Sequence, residues 1–132
     1  MVDQITVLKQ IELRASTLSL RSDGIMHIDI KPVDEFTRED VLEAVEALQK
    51  IGNGQQFVNL ITFKNFITVD KETRKLAAAE ITGKYTKARA LVVNSTALKL
   101  VVNFFIAFNK PKKPTRMFDS EDKAVVWLKT FL

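Results

Sequence analysis

The alternation of apolar and polar residues near the start of the chain predicts a β-hairpin over residues 17–30. Each arm carries apolar side chains at every second position, as a strand with one buried face does. Between the arms, Asp23-Gly24 supplies the positive φ that a tight hairpin turn requires. Residues 1–16 are less regular, and we expect an N-terminal strand or a loosely attached arm there.

Apolar residues at three- and four-residue spacing predict amphipathic helices with recognisable ends. The predicted helices span residues 37–52, 70–83, 95–110 and 120–132. Thr37 and Asp40 are placed to form a capping box at the start of the first helix. Gly52 and Gly83 are expected to end the first two helices. Pro111 must end the third, because proline disfavours helical backbone in the residue before it.

Short apolar runs between these helices predict strands over residues 55–63, 87–94 and 115–118. The element order is then hairpin, helix, strand, helix, strand, helix, strand, helix. Such alternation predicts an α/β fold with a mixed, largely parallel sheet of about five strands and four helices. The length of 132 residues suits a single domain over residues 1–132.

The stretch from 98 to 108 is the most apolar part of the chain and is too apolar for a helix packed on one side. Lys99 and Asn103 lie four residues apart, so they form one narrow polar stripe on such a helix. The remaining surface exceeds the apolar arc of somewhat over 100° that one-sided packing needs. Two or three side chains are surplus, and each would forfeit about 1.5–3 kcal/mol if left in water.

This surplus has four explanations. The final helix with Trp127 covers it, a second subunit or protein partner covers it, an apolar ligand occupies it, or it makes shallow contact with a membrane surface. We expect the contact residues to be Val101, Val102, Phe105 and Phe108.

The charge of the chain is uneven along its length. The net charge is +4, but residues 1–66 carry 7 basic and 10 acidic side chains, whereas residues 67–132 carry 13 and 6. The basic second half favours an anionic partner or a solvated basic face. Lys112, Lys113 and Arg116 are predicted to form a basic rim beside the apolar helix.

The residue types exclude several chemistries. The chain has no cysteine, which removes thiolate catalysis and cysteine-based zinc sites. His27 is the only histidine, and the carboxylates around it have no metal-ligand spacing. There is no glycine-rich phosphate loop and no nucleophile elbow. We therefore expect no cofactor, no metal site and no catalytic residues.

A weak hint of nucleic-acid binding comes from Lys84, Lys87 and Arg89, which lie close to Tyr85 in the sequence. No aromatic platform motif surrounds them, so we expect no nucleic-acid partner.

The second half of the chain resembles a known fold family. The segments "ARALVV", "LKLVVNFFIAFNKP", "TRMF" and "SEDKAVVWLKTFL" within residues 87–132 resemble the anti-sigma-factor antagonist (STAS, or SpoIIAA-like) fold, especially small bacterial STAS-like proteins. As topology alone, the resemblance extends back to about residue 17. It implies a regulatory or interaction domain without catalytic machinery.

The resemblance also implies a candidate switch at Thr68. In the family, an Asp-Ser pair at the helix after the third strand is phosphorylated on the serine by a partner kinase. The corresponding position here is Ile67-Thr68, where the hydroxyl is kept and the acid is replaced. A phosphate at a helix N-terminus is favourable. The alternative is that Thr68 or Asp70 only caps the helix.

From these features we predict a non-catalytic, cytoplasmic regulatory domain that binds a protein partner or self-associates as a homodimer. The alternative is a carrier or sensor of a small apolar ligand or lipid. The N-terminus lacks the basic and apolar regions of a signal peptide, and no segment approaches the roughly 20 apolar residues of a membrane span.

Overall fold

Residues 4–132, which the computed structural model describes, form a six-stranded sheet with helices on both faces. The strands are β1 (Val7–Glu12), β2 (Ser16–Arg21), β3 (Ile25–Ile30), β4 (Phe57–Phe63), β5 (Thr86–Val92) and β6 (Thr115–Phe118). They lie in the sheet in chain order, antiparallel from β1 to β3 and parallel from β3 to β6. The predicted mixed α/β fold is confirmed. The sheet has six strands instead of about five, because residues 7–12 pair with β2 as an edge strand.

Four helices connect or follow the strands. They are α1 (Arg38–Gly52), α2 (Lys71–Ala78), α3 (Thr96–Phe104) and α4 (Glu121–Lys129), and α3 runs on into a π-helical turn, Phe105–Asn109. Strands β3 to β6 follow one another in one direction across the sheet, so crossovers of a single hand place α1, α2 and α3 on one face. α4 follows the last strand and covers the opposite face.

The start of α1 is tied to the N-terminal strands through Asp40. The Thr37 hydroxyl accepts from the Asp40 amide at 3.3 Å, and the Asp40 carboxylate accepts from the Thr37 amide at 2.8 Å, which confirms the capping box. Arg14 donates two hydrogen bonds to the same carboxylate, at 3.1 and 2.5 Å. Burial alone raises the pKa of Asp40, but the hydrogen bonds from Arg14 and Thr37 outweigh it and hold that pKa below its usual range.

Gly52 is the last residue of α1, but its own backbone conformation does not end the helix. The left-handed residue after the helix is Asn53, at φ 52°. A Cβ on Gly52 would lie 2.7 Å from the ring of Phe57, so only glycine lets the start of β4 approach this closely. Gly52 is thus the last helical residue, as predicted, but its role is close approach.

α2 is shorter than predicted, because it ends at Ala78 and not at Gly83. The chain leaves the helix in extended backbone, and the Thr82 hydroxyl donates to the Leu76 carbonyl at 2.5 Å to close the turn. The short helix packs on α1 and on the π-helical turn, and it stands off from the strands below it. This gap leaves space above the sheet.

The opposite face of the sheet forms a separate core under α4. Ala88 and Ala90 of β5 meet Ala124 and Leu128 of α4, and all four are fully buried. Small side chains on the strand allow the helix to approach closely. Trp127 packs here too, with ring centroids 5.6 Å from Phe118 and 4.9 Å from Phe131. The explanation that the final helix covers the surplus of α3 is therefore wrong, because α4 lies on the other face of the sheet.

Candidate functional site

A cavity of about 180 Å³ lies between the sheet and helices α1, α2 and α3. It occupies the space beneath α2. Strands β3, β4 and β5 form its floor, α1 and α3 form its sides, and most of its lining is apolar. Representative apolar lining residues are Ile28, Val45, Leu48, Ile61, Leu91 and Phe105.

Three polar side chains interrupt the apolar floor of the cavity. Asn59 of β4 lies beside Arg89 of β5 in the register of the two parallel strands. The Asn59 side-chain amide donates to the Thr86 hydroxyl at 2.8 Å. The other polar atom of that amide, Oδ1, is buried and has no hydrogen-bond partner within residues 4–132. Buried polar atoms are usually paired, so Asn59 is a candidate contact for a bound molecule.

Arg89 is the most unusual group on the cavity floor, because it is a cation with only 7% of its surface exposed. One guanidinium nitrogen, Nη1, donates to the Ala77 carbonyl of α2 at 3.0 Å. No ion pair joins it to any Asp or Glu within residues 4–132. Burial lowers the pKa of Arg89 to about 10, which still leaves the group charged at pH 7.

A second arginine, Arg74 of α2, also lines the cavity. Its Nη1 donates to the Val69 carbonyl at 2.6 Å, and its guanidinium lies 5.5 Å from the centre of the Phe104 ring. Its Nε is buried without a hydrogen-bond partner in the described part of the chain. Among residues 4–132, the cavity lining includes two arginines and no Asp or Glu.

The structure separates the four predicted contact residues into two groups. Val101 and Phe105 are half-buried and line the cavity, and Val102 lines it from within the core at 4% exposure. Phe108 lies on the surface and is 70% exposed. Their roles in binding stay predictions, but three of the four lie where a cavity ligand would touch them.

Leu100, Phe104 and Phe108 form an exposed row along α3 and the π-helical turn, which we name the apolar stripe. They are spaced four residues apart, and all three are more than 45% exposed. The rings of Phe104 and Phe108 stack with centroids 4.5 Å apart. These are the surplus apolar residues that the sequence pattern indicated, and no other element covers them within the described chain.

The three residues of the predicted basic rim do not form one continuous surface. The backbone amide of Lys112 donates to the Ala78 carbonyl at 3.2 Å, which places Lys112 and Lys113 near the end of α2. Arg116 lies on the α4 side of the sheet, where its guanidinium sits 5.2 Å from the centre of the Phe118 ring. The binding role of the rim stays a prediction.

Thr68 lies before α2 and does not cap it. Its backbone pairs with the loop before α1, donating to the Asp34 carbonyl at 2.9 Å and accepting from the Phe36 amide at 3.0 Å. The cap is Asp70, whose carboxylate accepts from the Thr73 amide at 2.8 Å. Thr68 is exposed, and its role as a phosphorylation switch stays a prediction.

His27 lies on the polar face of the hairpin strand, opposite the cavity. Its Nε2 is 2.8 Å from the Thr62 hydroxyl, which donates to Asp29 at 2.8 Å, so the histidine is the donor. Burial lowers the pKa of His27, which keeps it neutral at pH 7. Within residues 4–132, His, Asp and Glu side chains nowhere gather in a group of three that could hold a metal ion.

Across the same described residues, none of the helices combines the length and the apolar content that crossing a membrane requires.

The sequence analysis did not place Arg89 at the cavity, because it grouped this residue with Lys84 and Lys87 as a hint of nucleic-acid binding. The alternation of residues between the two faces of β5 could have shown where Arg89 lies. Ala88 and Ala90 face α4, so Arg89 between them must face the cavity side together with Leu91.

Comparisons with known proteins place this fold. The model of a family described as "Domain of unknown function (DUF7793)" matches residues 18–132. A crystal structure of an uncharacterised DUF3478-family protein with a SpoIIAA-like fold, from Shewanella loihica PV-4, matches with a TM-score of 0.56 and 15% identity. The match covers 97% of this chain and 98% of that one, and it confirms the predicted STAS-like fold.

A second structure, a protein of unknown function from Arthrobacter sp. FB24, gives 21% identity and a TM-score of 0.28, covering 85% of this chain and 97% of that one. No curated protein matches the chain. The family match extends from β2 to the C-terminal residue and includes every element that lines the cavity. The chain therefore belongs to the DUF7793 family, and its fold is SpoIIAA-like.

Proposed function

We propose that this protein is a non-catalytic binding domain that holds a small, largely apolar molecule in the cavity beneath α2. The observation that carries the proposal is the apolar cavity of about 180 Å³ with a few convergent polar groups on its floor. That combination is the usual character of a small-molecule site. Apolar cavities of about 150 Å³ accommodate benzene, which has six non-hydrogen atoms, so a ligand of about seven or eight non-hydrogen atoms fits this one.

The kinds of polar group in the cavity support binding without catalysis. They are an amide, hydroxyls and guanidinium groups, which hydrogen-bond a ligand but do not exchange protons readily at pH 7. The one histidine, His27, lies on the other face of the sheet, where its neighbour is Thr62. A ligand in the cavity would therefore be held and oriented by groups that leave it chemically unchanged.

Filling the cavity is expected to abolish binding of a neutral apolar probe. Ala44 lines the cavity from α1, and Ala44→Phe would place a ring in the space that the probe occupies. In a titration with toluene followed by NMR, the native protein is expected to show saturable shifts at cavity residues. The variant is expected to bind at least about tenfold more weakly, which is about 1.4 kcal/mol.

Ala97→Phe is the matched control, because Ala97 is exposed on α3 and adds the same ring outside the cavity. Its thermal melt and toluene affinity are expected to match those of the native protein. The proposal fails if native protein shows no saturable toluene binding, or if Ala44→Phe remains folded and binds toluene unchanged.

We infer a second function for the apolar stripe, the binding of a protein whose contact surface is apolar at its centre and acidic at its rim. Contiguous exposed apolar residues on a domain surface commonly mark an interaction site. The helical segment that carries the stripe has two lysines, Lys99 and Lys110, and no Asp or Glu between residues 95 and 110. Complementary charge favours an acidic partner, whereas a second copy of this chain would bring like charges together.

Replacing Phe108 with glutamate is expected to weaken binding of such a partner by about 2 kcal/mol or more, which is about a thirtyfold loss of affinity. Val126→Glu is the matched control, because Val126 is also 70% exposed but lies on α4. The measurement is the affinity of each variant for a captured acidic protein by calorimetry. Equal loss in both variants would contradict the inference. A concentration-dependent dimer that only Phe108→Glu abolishes would replace the partner with a second copy.

A further inference from the structure

We propose that the cavity ligand is an anion, a small amphiphile whose single carboxylate pairs with Arg89 and whose apolar body fills the space beneath α2. This inference rests on the proposed function and adds the chemical class of the ligand. It follows from the charges, the hydrogen bonds and the size of the cavity.

The ionisable groups of the lining are all cations. Arg89 and Arg74 line the cavity, and none of the described lining residues is acidic. Burying a charge without a partner is costly, and proteins normally place a counter-charge beside it. Within residues 4–132 no carboxylate of the protein forms an ion pair with Arg89. An anionic ligand would provide the missing charge.

The hydrogen-bond geometry points to Arg89 as the anchor. Among the described residues 4–132, one of its five N–H groups has an acceptor, the Ala77 carbonyl at 3.0 Å. The planar guanidinium therefore has donors available for the paired oxygens of a carboxylate. Arg74 contributes positive charge, but it is engaged with the Val69 carbonyl and lies over the Phe104 ring.

Asn59 is placed to complete the carboxylate site. It neighbours Arg89 across β4 and β5, and its Oδ1 has no hydrogen-bond partner among residues 4–132. Rotating the Asn59 side-chain amide by 180° would keep its hydrogen bond to Thr86, because the Thr86 hydroxyl could then donate to Oδ1. The amide N–H groups would then face the cavity as donors. When a carboxylate binds, Oδ1 would accept from the Thr86 hydroxyl and the amide N–H groups would donate to the carboxylate.

The apolar lining and the volume select the rest of the ligand. A cavity of about 180 Å³ accommodates a short chain or one ring beside the carboxylate. Val101 and Val102 of α3 and Phe105 of the π-helical turn also line the cavity, and we expect them to contact the apolar body of the ligand. A singly charged carboxylate fits one free guanidinium better than a doubly charged phosphate, which would need more donors.

The test compares carboxylates with their neutral isosteres. Hexanoate, octanoate and phenylacetate are titrated by calorimetry at pH 7, each beside its own primary amide. At least one carboxylate is expected to bind about 10 to 100 times more tightly than its amide, as a hydrogen-bonded charge pair allows. Arg89→Met is expected to reduce carboxylate affinity to that of the amide, and Arg89→Lys to restore part of it.

Lys87→Met is the matched control, since Lys87 is exposed on the same strand and should leave both affinities unchanged. If carboxylate and amide bind equally, or if Arg89→Met leaves carboxylate affinity intact while folded, the anionic ligand is excluded and the apolar cavity site stands. If neither class binds and toluene also fails to bind, the proposed function itself is overturned.

Discussion

Replacing Leu128 with alanine is expected to lower the free energy of unfolding by about 2–5 kcal/mol. Leu128 is fully buried beneath α4, where it packs on Ala88 and Ala90 of β5. Those alanines are too small to fill the space that a lost leucine side chain leaves. A cavity would remain, and its cost adds to the lost burial of apolar surface. Urea unfolding followed by circular dichroism measures the change.

Val126→Ala on the same helix is the control, because Val126 is 70% exposed and its loss creates no cavity. Its unfolding free energy is expected to stay within about 0.5 kcal/mol of the native value. If the two variants are equally stable, α4 does not form the second core described above.

Replacing Arg89 with methionine is expected to raise the free energy of unfolding of the ligand-free protein by about 1–3 kcal/mol. The fall in the pKa of Arg89 to about 10, caused by burial, corresponds to about 3 kcal/mol against the charged form in the folded state. A base with a lowered pKa carries this penalty at every pH below its folded value, so the full penalty is present at pH 7. Losing the bond to Ala77 offsets about 1 kcal/mol of the gain.

The control for this substitution is again Lys87→Met, which is exposed on β5 and is expected to change stability by less than about 0.5 kcal/mol. Adding a carboxylate at about 100 times its native Kd should stabilise proteins that keep Arg89 by about 2.7 kcal/mol, and Arg89→Met by only about 0.4–1.4 kcal/mol because its affinity is 10 to 100 times weaker. A loss of stability in ligand-free Arg89→Met would contradict the interpretation. It would show that Arg89 is a structural link holding α2 over the sheet through the Ala77 carbonyl.

The two Arg89 experiments measure different properties of one residue. The stability of the protein without added ligand measures the cost of burying a cation. The carboxylate affinity measures how much Arg89 contributes to binding. A residue that reduces stability and increases affinity is typical of a binding site, where function sets the residue type against stability. A purely structural arginine would stabilise the fold and leave carboxylate affinity unchanged.

Local spacing was enough to predict most of the elements. The capping box of Thr37 and Asp40 depends on residues three apart, and the hairpin turn on two adjacent residues. The two faces of β5 follow from alternation, which placed Ala88 and Ala90 opposite Leu91. Patterns of this kind involve neighbours along the chain, so the sequence contains them directly.

The ends of the helices and the contacts between distant segments were predicted less well. α2 ends at Ala78, where Thr82 closes a turn, and Gly83 has a different role from the one expected. A Cβ at Gly83 would lie 2.8 Å from the Lys113 side chain, so a larger residue there would force a residue 30 positions away to move. Such a contact has no counterpart in local sequence.

By itself, the sequence of this protein determined the α/β class, the order of the elements, the excess of apolar surface on α3 and the absence of cysteine chemistry. These depend on residue types and on spacings of a few positions. Only the tertiary structure decided that α4 covers the opposite face, that α2 stands off above a cavity, and that Arg89 lies in it without an acidic partner. These features depend on which distant segments contact each other, because those tertiary contacts decide which residues are buried and which charges are paired.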